Sequence, residues 1–421
     1  MNIKRTIAPA AAPIDINGLC GGIFGLVFPK KYLINLENSL KAFFGVKHAF
    51  LVSSGKAALT LILKALKIMS PDKQDVLIPA YTCFSVPSAI VRSGLKVTLC
   101  DVDPSTLDFN YQSLSTMTTE KTLCIVPSHL FGMPSDMDRL RLFARERDIC
   151  IIEDAAQAMG GRYGDKLLGT IGDVGFFSLG RGKNVTCMSG GVIVTNNDQL
   201  ASEIRKLYNE LAGPALITEL IDLIKATLLS LFIRPFLYWI PAGLPFLGLG
   251  KTTYSTQFAI RKLSGVQAGL MANWQSRLDK SNAARQDNGA FYASTIGRRG
   301  YGARSITYLR YPYIVDNENQ RDEIYEYLKD FGVSLMYPSS INQIKELKGH
   351  FSAYSYPSAE NIPSKLLTLP THELLSKDDR DAIRRYISEI FQSSLKSTAS
   401  NCTAKTSGTD LIHAGGRTHR C

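Results

Sequence analysis

The decisive stretch runs from Cys150 to Asn196. It opens with CIIEDAAQA (150–158) and closes with FFSLGRGKNVTCMSGGVIVTN (176–196). The first string reads as a buried strand that ends in an acid, Asp154. An amide, Gln157, lies three residues on, one helical turn away. The second string holds a hydroxyl, Ser178, and then a lone Lys183 five residues later. Gly190-Gly191 precede a further apolar run. An acid at a strand end, a hydroxyl and a lysine in a Gly-flanked loop are the parts of a pyridoxal phosphate (PLP) site. The lysine forms the Schiff base, the acid keeps the pyridine nitrogen protonated, and the hydroxyl binds phosphate. Such a lysine must lose its proton, so burial and nearby cations have to lower its pKa. Arg181 is a nearby cation; it could equally be a solvated loop charge. Asp154 has a plainer alternative, that of capping the helix after it.

Outward from this stretch, apolar strands alternate with amphipathic helices between Tyr32 and Asn196. AFLV (49–52), DVLIP (75–79), VTLCDV (97–102), TLCIVP (122–127) and ICIIED (149–154) read as strands. Helices are expected from Lys56 to Leu66 and from Ser85 to Ser93. This alternation predicts a parallel sheet with helices on both faces, and ligands of such sheets sit at the carboxyl ends of the strands. Ser54-Gly55-Lys56, His129 and Asp154 all fall at predicted strand ends. The amides that open a helix at Ser54-Gly55-Lys56 suit a phosphate; the simpler reading is an N-cap.

Residues 257–295 read as one long helix or two, leading to an α+β C-terminal domain. That domain carries the strand YLRYPYIV (308–315), a helix ended by Gly332, the run LLTLPTH (366–372) and a last helix from Ser376. Residues 1–31, with the glycine-rich GLCGGIFGLVF (18–28), read as irregular, and residues 396–421 as a disordered tail.

At 421 residues the chain is long enough for two domains. The 45% hydrophobic and 20% charged content describes a soluble globular enzyme. No nucleic-acid-binding motif stands out. The eight cysteines form no CxxC pair, so no metal is expected and a reducing cytoplasm fits. The net charge of +11 is either an unremarkable basic surface or an attraction to phosphates and anionic membranes.

Four further strings extend the pattern: FFGVKHAFLVSSGKAALTL (43–61), the run from Asp75 to Phe109, VPSHLFGMPSDMDRL (126–140) and LLTLPTHELLSKDDRDAI (366–383). In order and spacing these strings and the Lys183 loop resemble the DegT/StrS sugar aminotransferases over about residues 32–392. The resemblance implies a type I PLP-dependent aminotransferase fold, α/β, with a mostly parallel sheet in a large domain and a smaller α+β C-terminal domain. It implies a division into 1–31, 32–256, 257–395 and 396–421. It implies a transaminase that moves nitrogen from an amino acid, glutamate by expectation, to a nucleotide-linked keto sugar in glycan biosynthesis, working as a homodimer. Lys183 takes the catalytic role, and Gly55, Lys56, Phe84, Asp154, Gln157 and Ser178 hold PLP. His129 is a substrate-pocket candidate, the alternative being a structural histidine.

The chain departs from the family pattern at several of these places. Lys56 stands where a threonine is usual. Cys83 stands where an aromatic residue stacks on the ring, so either Phe84 or Cys83 faces it. Ile260 replaces an asparagine that reaches the partner's phosphate, Met159 a frequent histidine and Ser189 an acid. Two rivals follow. One is a deoxysugar dehydratase of the same fold, against which Lys183 argues because such relatives often carry histidine there. The other is a non-catalytic PLP-binding scaffold at a membrane.

Residues 216–250 are strongly apolar, with Glu219, Asp222, Lys225 and Ser230 forming a narrow polar stripe. Arg234-Pro235 and Pro241 break the run, and its longest charge-free part before Arg234 is only Ala226–Ile233. A spanning helix needs about 20 apolar residues, so this is not one. Two readings stay open. The segment is either a buried lid at a dimer interface or an interfacial element on a membrane, flanked by Arg234 and Lys251.

Overall fold

A computed structural model describes residues 5–244, 252–296 and 306–390. Its centre is a sheet built from β1 (His48–Val52), β2 (Asp75–Pro79), β3 (Lys96–Cys100), β4 (Thr122–Ile125), β5 (Cys150–Asp154), β8 (Val174–Ser178) and β9 (Gly191–Thr195), while β6 (Arg162–Tyr163) and β7 (Lys166–Leu167) form a separate hairpin. The seven strands run in the order β1-β9-β8-β5-β4-β2-β3. The pairs from β8 through β5, β4 and β2 to β3 are parallel, and β9 is antiparallel to both β8 and β1. Apart from the edge strand β3, the strands are buried on both faces over nearly their whole length, which is why they read as continuous apolar runs without alternation.

The helices of this domain are α1 (Ile16–Val27), α2 (Pro29–Phe44), α3 (Gly55–Met69), α4 (Ser85–Arg92), α5 (Tyr111–Ser115), α6 (Met137–Glu146), α7 (Asp198–Asn209), α8 (Leu216–Phe232), α9 (Trp239–Ala242) and α10 (Gly265–Leu270). The long α11 (Trp274–Thr295) leads out of it. The second unit is a three-stranded antiparallel sheet of β10 (Tyr311–Ile314), β12 (Leu366–Leu369) and β11 (Ser334–Leu335), with β12 central. It is flanked by α12 (Glu318–Leu328), the short α13 (Pro357–Asn361) and a last helix over 377–390. Gly332, with φ of 82°, ends the turn that follows α12, as the sequence reading expects.

Two expectations need correction. The glycine-rich N-terminal segment is not irregular: it forms α1, and α2 begins at Pro29. Glycine weakens an isolated helix by about 1 kcal/mol per residue relative to alanine. Here Gly21 and Gly25 instead let α1 lie backbone against backbone on α10. A Cβ on Gly21 would fall 2.3 Å from the Gly269 carbonyl oxygen, and one on Gly25 would fall 2.1 Å from that of Gly265. Local propensity reads those glycines as loop; tertiary packing makes them a seam. The second correction concerns 257–295. Helix begins only at Gly265, under a Ser264/Gln267 capping box. The residues before it run extended along β1, where Lys262 bridges Val52 and the Ser53 amide donates to the Arg261 carbonyl at 2.9 Å. They cover part of an edge strand that would otherwise be bare. The end of the apolar insert (245–250), Lys251 and the tail 396–421 lie outside the described residues.

The chain's first described residues strap across the molecule. The Ile7 amide donates to the Asp330 carbonyl, and Arg5 pairs with Asp379 through both its terminal nitrogens. His372, fully buried, donates from Nε2 to the Ala8 carbonyl at 2.7 Å, while its Nδ1 accepts from the Leu374 amide. Burial pushes the His372 pKa from 6.5 down to about 3. Between those values the unfolded chain binds the proton and the folded one does not. This contribution is therefore complete above about pH 6.5 and shrinks as pH falls. Near pH 5 it should have cost about 2 kcal/mol of stability. Urea unfolding of the wild type and of His372→Gln at pH 7 and pH 5 measures it. The variant should lose less on acidification by about that amount, and equal losses would remove His372 as the cause.

Candidate active site

The carboxyl ends of β1, β2, β4, β5 and β8 meet along one edge of the sheet, and each delivers a chemical group. After β1, Ser54 caps α3 by accepting from the Ala57 amide at 3.1 Å. Gly55 then opens the helix directly opposite Ser178 at the end of β8. A Cβ on Gly55 would sit 3.1 Å from the Ser178 Cβ and 3.6 Å from its Oγ. Gly191 permits a closer approach still, since a Cβ there would meet the Ser54 carbonyl oxygen at 2.2 Å. The result is a cradle of helix amides and one hydroxyl, with space where a side chain would otherwise stand. That is the chemistry of a phosphate seat.

Asp154 ends β5 and is buried. Its Oδ1 accepts from the Ala156 amide at 3.1 Å, and its Oδ2 faces the Ser128 hydroxyl at 3.4 Å, which in turn meets Thr82 at 2.9 Å. Burial raises the Asp154 pKa, opposed by the Ala156 amide and by the Lys183 charge. Lys183 is the reciprocal case. Burial lowers its pKa, Cys83 and Asp154 raise it, and the Arg310 charge lowers it again. The cation acting on Lys183 is thus Arg310, from just before β10. Arg181 is exposed, and its field falls on Tyr238.

Arg285, fully buried on α11, fixes the lysine loop. Its guanidinium donates to the carbonyls of Leu309 (2.7 Å), Ala11 (2.8 Å) and Lys183 (3.5 Å). One side chain therefore ties the strap, the lysine loop and the second domain together. Burial, reinforced by Arg310, pulls its pKa down to about 9, still well above neutrality.

Gln157 donates from Nε2 to the Tyr337 hydroxyl at 3.1 Å. Tyr337 arrives from the second domain, its amide donating to the Tyr81 hydroxyl at 2.6 Å and its ring stacked near Phe131 and Phe84. Phe84 is buried at 6% exposure in the main core, with its ring on Tyr337. Cys83 is partly exposed and lies in electrostatic range of Lys183, Lys56 and Tyr337. Between the two residues left open by the sequence, the geometry turns Cys83 to the site and Phe84 to the core. Lys56 is half-buried beside Cys83, with its ammonium 4.6 Å from the centre of the Phe258 ring; burial lowers its pKa.

His129 does not offer a nitrogen to a substrate. Its Nε2 bonds Glu153 at 3.0 Å and its Nδ1 accepts from the Ser135 amide at 3.2 Å, with the side chain fully buried. The Nδ1 contact fixes the proton on Nε2. Glu153 in turn accepts from the amides of Gly169 (2.8 Å) and Gly172 (2.6 Å). The pair anchors the loop that leads into β8, and the reading as a pocket histidine gives way to this one.

Tyr337, Arg310, Arg285 and Ser128 are the residues that sequence reasoning missed. The first three lie more than 100 positions from Lys183 in chain order. Ser128 stood in plain view at a strand end, next to the His129 that drew the attention. Among the described residues no group of three or more His, Cys, Asp or Glu is placed to hold a metal ion. A cavity of about 600 Å³ near Arg141, Arg145 and Asp173 opens at the amino end of β5, away from Asp154.

The family model for the DegT/DnrJ/EryC1/StrS aminotransferase family matches residues 28–213 and 250–388. The chain is 26% identical over 370 residues to a GDP-perosamine synthase of Caulobacter vibrioides, covering 86% of this chain and 90% of that one. Helicobacter pylori PseC, an aminotransferase involved in the biosynthesis of pseudoaminic acid, shares the fold with a TM-score of 0.74 at 17% identity, over 92% of this chain and 100% of PseC. NtdA from Bacillus subtilis, solved with bound cofactor PMP, superposes with a TM-score of 0.69 at 19% identity, over 90% of this chain and 83% of NtdA.

Proposed function

Because the chain belongs to the DegT/DnrJ/EryC1/StrS aminotransferase family, we propose that it uses PLP to move an amino group from an amino acid to a nucleotide-linked keto sugar. The observation that carries this reading is the placement of Lys183 and Asp154 on one edge of the sheet beside the Gly55/Ser178 cradle. The residues fit the cofactor. Gly55 and Ser178 would hold its phosphate, Asp154 its ring nitrogen, and Gln157 with Tyr337 its ring edge, with Cys83 beside the ring. When bound, PLP supplies the electron sink that makes the donor's α-carbon acidic.

The chain's own residues do the rest. Lys183 Nζ, held neutral more readily by burial and by Arg310, would move a proton off the donor's α-carbon in the first half of the cycle and on to the sugar carbon that takes the amino group in the second. Asp154, kept from water, stabilises positive charge in front of it more strongly than a solvated carboxylate would. Arg285 fixes the Lys183 backbone, so the side-chain amine moves on a rigid base. Arg310 and Lys56 give the site a positive field suited to a carboxylate donor and a phosphorylated acceptor. Overall, amino acid and keto sugar become keto acid and amino sugar, and the keto acid leaves before the sugar reacts.

The names of the relatives, a GDP-perosamine synthase and an aminotransferase of pseudoaminic acid biosynthesis, support a sugar acceptor and a nucleotide carrier. We assign glutamate as donor and a homodimer as the working form, with the cytoplasm as location. The test is a panel of keto sugar nucleotides incubated with PLP-loaded protein and glutamate and read by mass spectrometry. At least one sugar should gain nitrogen, and only when glutamate is present. If no sugar is aminated and glutamate alone leaves the cofactor's absorption unchanged, the transaminase reading is wrong.

A further inference from the structure

The helix α8 is built inside out. A helix on a globular surface turns its apolar stripe to the core and its charges to water. On α8, Ala226 is buried, while Ile217 is 65% exposed, Ile224 60% and Leu231 54%. Leu220, Ile221 and Leu228 lie on the same outward stripe. The acids point the other way: Glu219 accepts from the Val266 amide at 3.2 Å and Asp222 from the Gln267 side chain at 3.2 Å, both on α10. Helix α1 repeats the arrangement with no charged residue at all. Its glycines face α10, and Ile16, Ile23, Phe24 and Val27 face outward, each more than half exposed. The two helices are neighbours, since a Cβ on Gly22 would meet Leu223 of α8 at 3.1 Å. Their outward stripes therefore lie on adjoining helices, whereas the exposed apolar residues of an ordinary protein exterior are scattered singly.

Two observations say what covers these stripes. The first is charge. Lys30 and Lys31 are exposed immediately after α1, and Lys225 and Arg234 are exposed on or just past α8. Asp15, at the start of α1, has its carboxylate on the Gly18 amide at 2.8 Å. The rim is thus basic around an apolar face, in a chain of net charge +11. The second is origin. Helix α1 and all of residues 214–249 fall outside the two stretches that match the family model, 28–213 and 250–388. Contacts that belong to the shared frame do not require this face. Among the described residues no helix is long and apolar enough to cross a membrane.

We propose that the outward faces of α1 and α8 seat the enzyme on an anionic lipid surface, lying in the headgroup layer without spanning it. The isoleucines and leucines would enter the acyl boundary, and Lys30, Lys31, Lys225 and Arg234 would meet lipid phosphates. The site opens on the sheet's carboxyl edge and is made of other residues, so this proposal does not depend on the identity of the substrate.

The experiment is flotation of the full-length, PLP-loaded protein with phosphatidylcholine vesicles, with and without phosphatidylglycerol, together with light scattering of the protein alone. The wild type should float with phosphatidylglycerol vesicles at low salt and much less at high salt. Ile217→Ser/Ile224→Ser/Leu228→Ser should stop floating while keeping its colour and its mass in solution. Lys30→Gln/Lys31→Gln/Lys225→Gln should keep the apolar face and bind anionic vesicles less tightly, by about fivefold for each charge removed. A wild type that stays with the soluble fraction on anionic vesicles overturns the proposal. So does a serine variant that floats like the wild type. If the serine changes lower the protein's mass in solution without altering flotation, the face belongs to a second copy of the chain and the lipid assignment fails. The charge variant decides the matter if the serine variant does not fold.

Discussion

Lys183→Ala should lose the Schiff-base absorption band that PLP loading gives the wild type and should lose turnover by about 10⁴-fold or more. Removing a positioned proton carrier alone costs up to about 10⁴-fold, and this change also removes the amine that would hold the cofactor covalently. The variant should still fold, because Arg285 grips the Lys183 carbonyl, not its side chain. Borohydride reduction of the loaded wild type followed by peptide mapping tests the assignment without any substrate. Lys56 is the competitor, since burial also lowers its pKa and it too lies beside Cys83. It lacks the neighbouring carboxylate that Lys183 has in Asp154. A label on Lys56 would overturn the assignment.

Asp154→Asn should keep the fold and bind PLP, yet lose activity by about 10²- to 10³-fold. That is the typical cost of removing one preorganised electrostatic partner from a water-excluded site. The amide is isosteric and can still accept from Ala156, so the local turn survives. What disappears is the negative charge that would favour a proton on the ring nitrogen. The phosphate cradle at Gly55 and Ser178 lies on α3 and β8, so PLP affinity should change far less than turnover. The readout is therefore a split: turnover collapses while equilibrium titration of cofactor absorption shifts little. Near-normal turnover would reduce Asp154 to a cap for the residues after it.

The parallel sheet was readable because most of its strands are buried on both faces and bounded by turns, which leaves continuous apolar runs in the sequence. The edge carrying Gly55, Asp154, Ser178 and Lys183 was readable for a related reason. In this architecture a residue at the carboxyl end of a strand is at the ligand edge whatever else the fold does. Arg310, Arg285 and Tyr337 were not readable. Each reaches the site only through the packing of the second domain, and a lone arginine or tyrosine in a string says nothing about what it will face. His129 misled because its partner, Glu153, sits one residue before Asp154 and reads as ordinary strand filler. Between Cys83 and Phe84, which adjacent side chain turns inward depends on backbone direction at the start of α4, and composition carries no trace of that. The glycines of α1 misled most, since local propensity argues for a loop and only the partner helix explains them.

The strap formed by residues 5–15 bears on how the protein comes into being on the ribosome. Its anchors are Asp330, His372 and Asp379, together with Arg285, whose guanidinium also needs Leu309 and Thr371. The strap is thus held by residues made long after it. The sheet from β1 to β9 can assemble while synthesis continues, but the amino-terminal segment has nowhere to dock until the second domain has left the exit tunnel. During that interval the buried face of the strap and the apolar stripes of α1 and α8 are open together, which makes a nascent chain of this protein a client for whatever shields such surfaces in the cell.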